Sequence, residues 1–212
     1  MKLQDSRREY RWGKLDRDTL LDSPFDQFAT WMQQAVDAGI QDPTAMSVST
    51  VSAEGKPWTR IVLLKGFDET GFYFYTGLKS RKAREIQHNA NVSLHFPWLA
   101  MERQVIVGGF AVTLTEAQSS AYFSTRPRES QIAAWVATQS SEIPSRAFLD
   151  DTFHELETRF DGAEVPMPKG WGGYHVVPTE WEFWQGGEFR MHDRFRYVQE
   201  DDDTWRISRL AP

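Results

Sequence analysis

The chain of 212 residues contains no cysteine. That excludes disulfides, thiolate nucleophiles and thiolate metal sites together. Positive charge is also scarce: 24 Lys and Arg stand against 30 Asp and Glu, a formal net charge of -6. A protein that coats nucleic acid needs a basic surface to neutralise phosphates. No nucleic-acid partner is therefore expected, and any phosphate bound is expected to be small and held by a local basic cluster. No apolar run reaches the length of a membrane span, and the N-terminus MKLQDSRREYRWGKL has no apolar stretch of the signal-peptide kind. No membrane partner is expected, and the expected compartment is the cytoplasm. No G-x-G-x-x-G follows a strand pattern, and neither a phosphate-loop nor a G-x-S-x-G sequence occurs. The histidines (His88, His95, His154, His175, His192) lack metal-binding spacing, so no metal site is expected.

Aromatic residues, by contrast, are abundant, at 14% with nine Trp. They suit a β-rich core and stacking against a flat ligand. Residues 1–20 are polar and basic, with Arg7, Arg8, Arg11 and Lys14, and are expected to form a mobile arm. Residues 21–212 are expected to form one domain. Ser23-Pro24 is a helix start, and Phe25, Phe28, Met32, Ala35 and Val36 share one helical face before Gly39. From Ala45 the period changes to two. Strands are expected at 45–50, 58–67 with Ile61, Val62, Leu63 and Leu64 buried, 72–75, 92–96 and 103–114, with a bulge at Gly108-Gly109. Helices follow at 116–124, 131–138 and 145–160, besides a short one at 80–89. Strand patterns return at 171–177, 180–184, 193–198 and 205–210. Short strands with tight turns imply an antiparallel sheet, mainly β with inserted helices, closing into a barrel.

Four basic segments stand out. Arg60 and Lys65 flank an apolar strand and have opposite parity, which sends them to opposite faces unless a bulge intervenes. Tyr75-Thr76 ends a strand, and Ser80-Arg81-Lys82 opens a helix whose free N–H groups and partial positive charge suit an anion. Tyr122, Arg126, Arg128 and Ser130 bring hydroxyls and guanidinium forks together in a few residues. Arg190, His192 and Arg194 alternate after Trp184 and a glycine pair, and share one face if the segment is extended. On pattern alone each segment also fits a bland role: snorkelling strand ends, a polar loop or a charged edge strand.

The same segments carry a resemblance. RREY at 7–10, RIVLLK at 60–65, FYTGLKSRK at 74–82, FPWLAMERQV at 96–105, YFSTRPRESQIAAWVATQSS at 122–141, WGGY at 171–174, EFWQGGEFRMHDR at 182–194 and the final RLAP are collinearly similar to the pyridoxamine 5′-phosphate oxidase family. The resemblance implies an FMN-binding split β-barrel, a homodimer with FMN between subunits, and oxidation of pyridoxamine or pyridoxine 5′-phosphate by O2 to pyridoxal 5′-phosphate and hydrogen peroxide. It implies FMN contacts from Arg60, Ile61, Val62, Leu63, Leu64, Lys65, Tyr75, Thr76, Arg81, Lys82, Gln104, Gln139, Ser140, Trp184 and Arg194. It further implies that Lys65, Tyr122, Arg126 and Ser130 hold the substrate phosphate. Arg190 and His192 would lie by the pyridine ring as the catalytic pair. Arg7, Arg8, Glu9 and Tyr10 would close over the substrate. Phe189 departs from the polar residue expected before Arg190. A phenazine-pathway oxidase, a non-catalytic flavin or pyridoxal phosphate binder, and a plain interaction module with a β-barrel core are the competing readings.

Overall fold

In the computed structural model, residues 9–10 and 13–212 are described. Helix α1 (Pro24–Asp37) starts where Ser23 accepts a hydrogen bond from the Asp26 N–H and Pro24 occupies the first turn. Strands β1 (Ala45–Val51), β2 (Pro57–Leu63), β3 (Gly66–Asp68) and β4 (Gly71–Gly77) follow, then α2 (Arg81–His88), β5 (Asn91–Trp98) and β6 (Arg103–Thr113). Three helices, α3 (Glu116–Ser124), α4 (Arg128–Val136) and α5 (Arg146–Arg159), precede β7 (Trp171–Gln185), β8 (Asp193–Gln199) and β9 (Trp205–Leu210).

All strand pairs are antiparallel, and the sheet order is β2-β1-β5-β6-β7-β4-β3, with β8 and β9 continuing beside β7. The two ends of that order, β2 and β3, are consecutive in the chain. Only Leu64 and Lys65 separate them, so the sheet has to curl until its edges meet. This is the mainly β, antiparallel barrel expected from the sequence. Its interior is aromatic: Phe28 from α1 meets Phe72, Phe96 and Trp181 with ring centroids 4.8–5.9 Å apart. A second, smaller core of Ile132, Leu156, Phe160 and Val165 joins α4 to α5.

Several expectations change. The strand read over 58–67 breaks at Leu64-Lys65, because its two halves serve opposite edges of the sheet. Ile61 and Leu63 are 74% and 42% exposed rather than buried, since β2 is an edge strand, whereas Leu64 is buried. The strands read at 171–177 and 180–184 are one strand. β7 pairs with β4 up to Val176 and with β8 from Glu180, so Pro178 sits at the handover, where a missing N–H costs little. Opposite it lies the expected bulge at Gly108/Gly109. The boundary between arm and domain also moves, because Leu15 and Leu20 are buried in the main core.

Candidate active site

The site begins at the end of β4. Thr76 and the N–H of Gly77 both donate to Gln139 Oε1, at 2.8 and 3.0 Å. Lys82, in the first turn of α2 and only 5% exposed, donates to Thr76 Oγ1 at 2.9 Å and to Gln139 at 3.4 Å. Among the described residues no carboxylate pairs with it. Burial, then the nearby charge of Arg60, lowers its pKa to about 8.

Arg60 donates to the Val48 carbonyl, to Thr50 and to Glu85, the last at 3.0 Å. Arg81 reaches the other Glu85 oxygen at 2.7 Å and lies 4.0 Å from the centre of the Trp58 ring. Burial opposes ionisation of Glu85, but hydrogen bonds from Thr50, Arg81 and Arg60 outweigh it and hold the carboxyl below its usual range. Arg60 and Arg81 thus share one carboxylate, while Lys82, the third cation of the group, has none among the described residues. These residues, with Ile61, Val62, Leu63, Lys65, Tyr75 and Ser140, line a cleft of about 690 Å³.

Lys65, Tyr75, Thr76 and Gln139 also line a larger adjoining cleft of about 1300 Å³. Its wall is aromatic: Tyr75 stacks on Tyr122 at 3.8 Å and on Trp171 at 5.6 Å. The Arg126 guanidinium lies 4.9 Å from the Trp171 ring centre, and its buried Nη1 has no hydrogen-bond partner among the described residues. An orphaned guanidinium N–H costs roughly 1–3 kcal/mol, which an anion in the cleft would offset. Arg60 and Lys65, expected on opposite faces, line the same cleft, because the chain turns at Leu64-Lys65. Ser130 is half-buried in α4 and lines neither cleft. Arg128 takes another role, donating to the carbonyls of Phe160 and Ala163 beyond α5.

The remaining candidates gather elsewhere. Tyr10 meets Trp184 and His192 edge to face, at 5.7 and 5.3 Å, and Arg190 lies 5.8 Å from the Tyr10 ring centre. Gly186 permits this approach, since a Cβ there would lie 2.6 Å from the Tyr10 ring. The expected extended run from Arg190 to Arg194 is absent. Phe189 and Arg190 have φ of 55° and 66°, in a tight turn, and β8 starts only at Asp193. Arg194 forks onto Glu182 with two bonds of 2.9 Å, and Gln104 meets His95. Burial, then Arg190 and Arg194, lower the His192 pKa, so the imidazole is neutral at pH 7, and its Nδ1 accepts from the Gly187 N–H. Glu9 belongs to the described residues, whereas Arg7 and Arg8 lie outside them.

Trp171 and Trp184 stand thirteen residues apart on β7, a span on the order of 40 Å in a straight strand. One chain therefore holds two separate groups of candidate residues. Sequence reasoning missed Glu85, Trp58 and Trp171 as parts of the site. The signal for Glu85 was its place four residues after Arg81 on one helix.

Residues 32–160 match the family described as pyridoxamine 5′-phosphate oxidase, and residues 171–212 match the region described as the pyridoxine 5′-phosphate oxidase C-terminal dimerisation region. The chain is 53% identical over 212 residues to the pyridoxine/pyridoxamine 5′-phosphate oxidase of Vibrio cholerae O395, covering all of both proteins. It is 55% identical to that of Shewanella sediminis HAW-EB3, covering 100% of this chain and 99% of the relative. Among solved structures, PhzG from Burkholderia lata 383, in complex with tetrahydrophenazine-1-carboxylic acid, superposes with a TM-score of 0.87 at 28% identity, over 93% of this chain and 98% of PhzG. A pyridoxamine 5′-phosphate oxidase-related, FMN-binding protein from Nostoc punctiforme shares the fold, with a TM-score of 0.74 at 13% identity over 91% of this chain and 100% of its own. Fold, motif order and full-length identity converge: the chain belongs to the pyridoxamine 5′-phosphate oxidase family.

Proposed function

We propose that the protein is an FMN-dependent oxidase that converts pyridoxamine or pyridoxine 5′-phosphate to pyridoxal 5′-phosphate. The observation that carries this reading is the pair of adjoining clefts. One is lined by the cations Arg60, Arg81 and Lys82, of which only Arg60 and Arg81 pair with a carboxylate among the described residues, and the other has an aromatic wall ending in an unsatisfied Arg126 N–H. Two phosphate-bearing aromatic ligands side by side fit that chemistry.

In this reading Arg60, Arg81, Lys82, Thr76, Gln139 and Ser140 hold FMN, with Ile61, Val62 and Leu63 of β2, the following Leu64, and the Lys65 and Tyr75 side chains beside it. Lys65, Tyr122 and Arg126, which line the larger cleft, hold the substrate phosphate, and Ser130, which lines neither cleft, would have to approach it from α4. FMN held there would supply the redox chemistry, a two-electron oxidation of the substrate carbon at the expense of O2, with hydrogen peroxide as the other product. The amine substrate also consumes a water and releases ammonia. The chain's own task is placement: the phosphate grip fixes the substrate so that its reactive carbon has one orientation. Arg190 and a neutral His192 orient the ring, and His192, whose Nδ1 is held by the Gly187 N–H, can exchange a proton through its other ring nitrogen. Replacing Arg190 by Met should lower turnover far more than FMN affinity; unchanged turnover refutes its role.

A homodimer accounts for the two separate groups. A second copy would bring Gln104, Trp184, Arg194, Arg190, His192 and the Glu9–Tyr10 arm (with Arg7 and Arg8) to the cleft of its partner. Support comes from the match of residues 171–212 to the family's dimerisation region. The exposed Trp58, Ile61 and Leu63 beside the cleft also suit a covered face.

The test is to mix FMN-loaded protein with pyridoxamine 5′-phosphate in air and follow aldehyde absorbance and peroxide. Joint appearance supports the reading. A flavin-loaded protein that makes neither overturns it. A phenazine-type oxidase is the nearest competitor, and turnover of a reduced phenazine carboxylate with none of the B6 phosphates would favour it.

A further inference from the structure

The Arg209 side chain, on the last strand, ties three distant parts of the chain together. Its Nη1 donates to Asp193 Oδ1 at 2.6 Å, and its Nη2 to Asp16 Oδ1 at 2.7 Å and to the Leu15 carbonyl at 3.4 Å. The guanidinium also lies 4.4 Å from the Phe195 ring centre. The second Asp193 oxygen accepts from the Leu15 N–H at 3.0 Å, which closes the loop of contacts. Leu15 is 6% exposed and belongs to the main core.

We propose that Arg209 is a positioning residue that, through Asp16 and Leu15, anchors the N-terminal arm so that Tyr10 rests on Trp184 and His192. The inference rests on the oxidase reading above. Tyr10 lies five residues before Leu15, so fixing Leu15 limits Tyr10 to within about 17 Å of it, and the ring contacts with Trp184 and His192 select the position. Asp193 is the residue after His192, so the same fork also pins the strand end that carries His192. Both Arg209 terminal nitrogens are engaged by Asp193, Asp16 and the Leu15 carbonyl, which suits an anchoring role. Loosening the anchor lowers the fraction of molecules with the arm in place. Apparent substrate affinity falls by that fraction, while chemistry in the closed complex is unchanged.

The experiment is steady-state kinetics of the FMN-loaded Arg209→Ala, Arg209→Lys and Asp16→Asn proteins with pyridoxamine 5′-phosphate. Arg209→Ala should raise KM about three- to ten-fold with kcat retained, as expected for two half-exposed ion pairs. Arg209→Lys should recover part of the loss. Asp16→Asn should shift KM in the same direction, and the double variant Asp16→Asn/Arg209→Ala should fall short of the product of the single effects. Trypsin cleavage after the exposed Lys14, followed by mass spectrometry without substrate, should be faster in each variant. An unchanged KM, fully multiplicative effects, or loss of kcat at constant KM overturns the proposal. Should Arg209→Ala fail to fold, Asp16→Asn alone decides. Inactive wild-type protein would refute the oxidase reading, and the trypsin comparison would still test the anchor.

Discussion

Among the described residues Lys82 is buried with the neutral partners Thr76 and Gln139, and that makes a sharp prediction. An ammonium that titrates near pH 8 instead of 10.5 carries a cost of at most about 3 kcal/mol when charged at pH 7. The sign follows from proton counting. Between those two pH values the unfolded chain binds the lysine proton and the folded chain does not, so this group's contribution to stability rises with pH across that window. Lys82→Met keeps the stem and removes the charge. The flavin-free variant should therefore be more stable than the natural protein at pH 7, by about 1–3 kcal/mol, or roughly 2–10 °C for a chain of this size. FMN affinity should move the other way, down about 10- to 100-fold, because a charge-assisted phosphate contact is lost. Urea unfolding of the flavin-free proteins and quenching of FMN fluorescence on titration measure the two quantities. The gain in stability should shrink between pH 8 and 10, as the natural lysine sheds its proton. A variant that is less stable without flavin and binds FMN equally well refutes the argument, and would make Lys82 a structural group.

Three other perturbations separate site from scaffold. Glu85→Gln strips the shared carboxylate from Arg60 and Arg81 and should cost about 3 kcal/mol at pH 7. Because the Glu85 pKa is lowered in the fold, the natural protein's advantage should be complete above the ordinary glutamate range and be lost progressively as the pH falls below it towards the lowered folded value, as read by thermal unfolding against pH. Arg126→Ala should raise KM for the phosphate substrate about 10- to 100-fold and leave FMN binding unchanged, which kinetics and flavin titration check together. Gly109→Ala would set a Cβ 2.1 Å from the Val177 carbonyl oxygen, whereas Gly108→Ala meets nothing closer than 3.7 Å. The first should cost about 3 kcal/mol or more and the second under 1 kcal/mol, by urea midpoint.

Much of the architecture was legible because local signals agreed with it. Ser23-Pro24 capped its helix, the alternation from Ala45 marked a strand, and the glycine pair at 108–109 marked a bulge. What escaped was decided by neighbours distant in sequence. The run from Trp58 to Phe67 is uniformly apolar or aromatic between its cations, and nothing local marks the turn at Leu64-Lys65 that joins the sheet's two edges. Pro178 looked like a strand end, yet the change of partner from β4 to β8 removes the usual cost of a proline there. The residues around Arg190 obeyed a strand alternation, but the tight turn at Phe189 and Arg190 overrides it. The basic segments were visible one by one. Their grouping into adjoining clefts depends on closure of the barrel.

The length of β7 has a consequence for any assembly of two copies. Trp171 stands at one end of this unbroken strand and Trp184 at the other. If each end serves a different active site, β7 is a yardstick whose span sets the gap between the sites, and both are referenced to the same ruler. A local rearrangement at one end propagates along a hydrogen-bonded ladder with β6, whose only slack is the bulge at Gly108/Gly109. The two sites would then be mechanically in series, and a change of spacing in β7 would detune both at once.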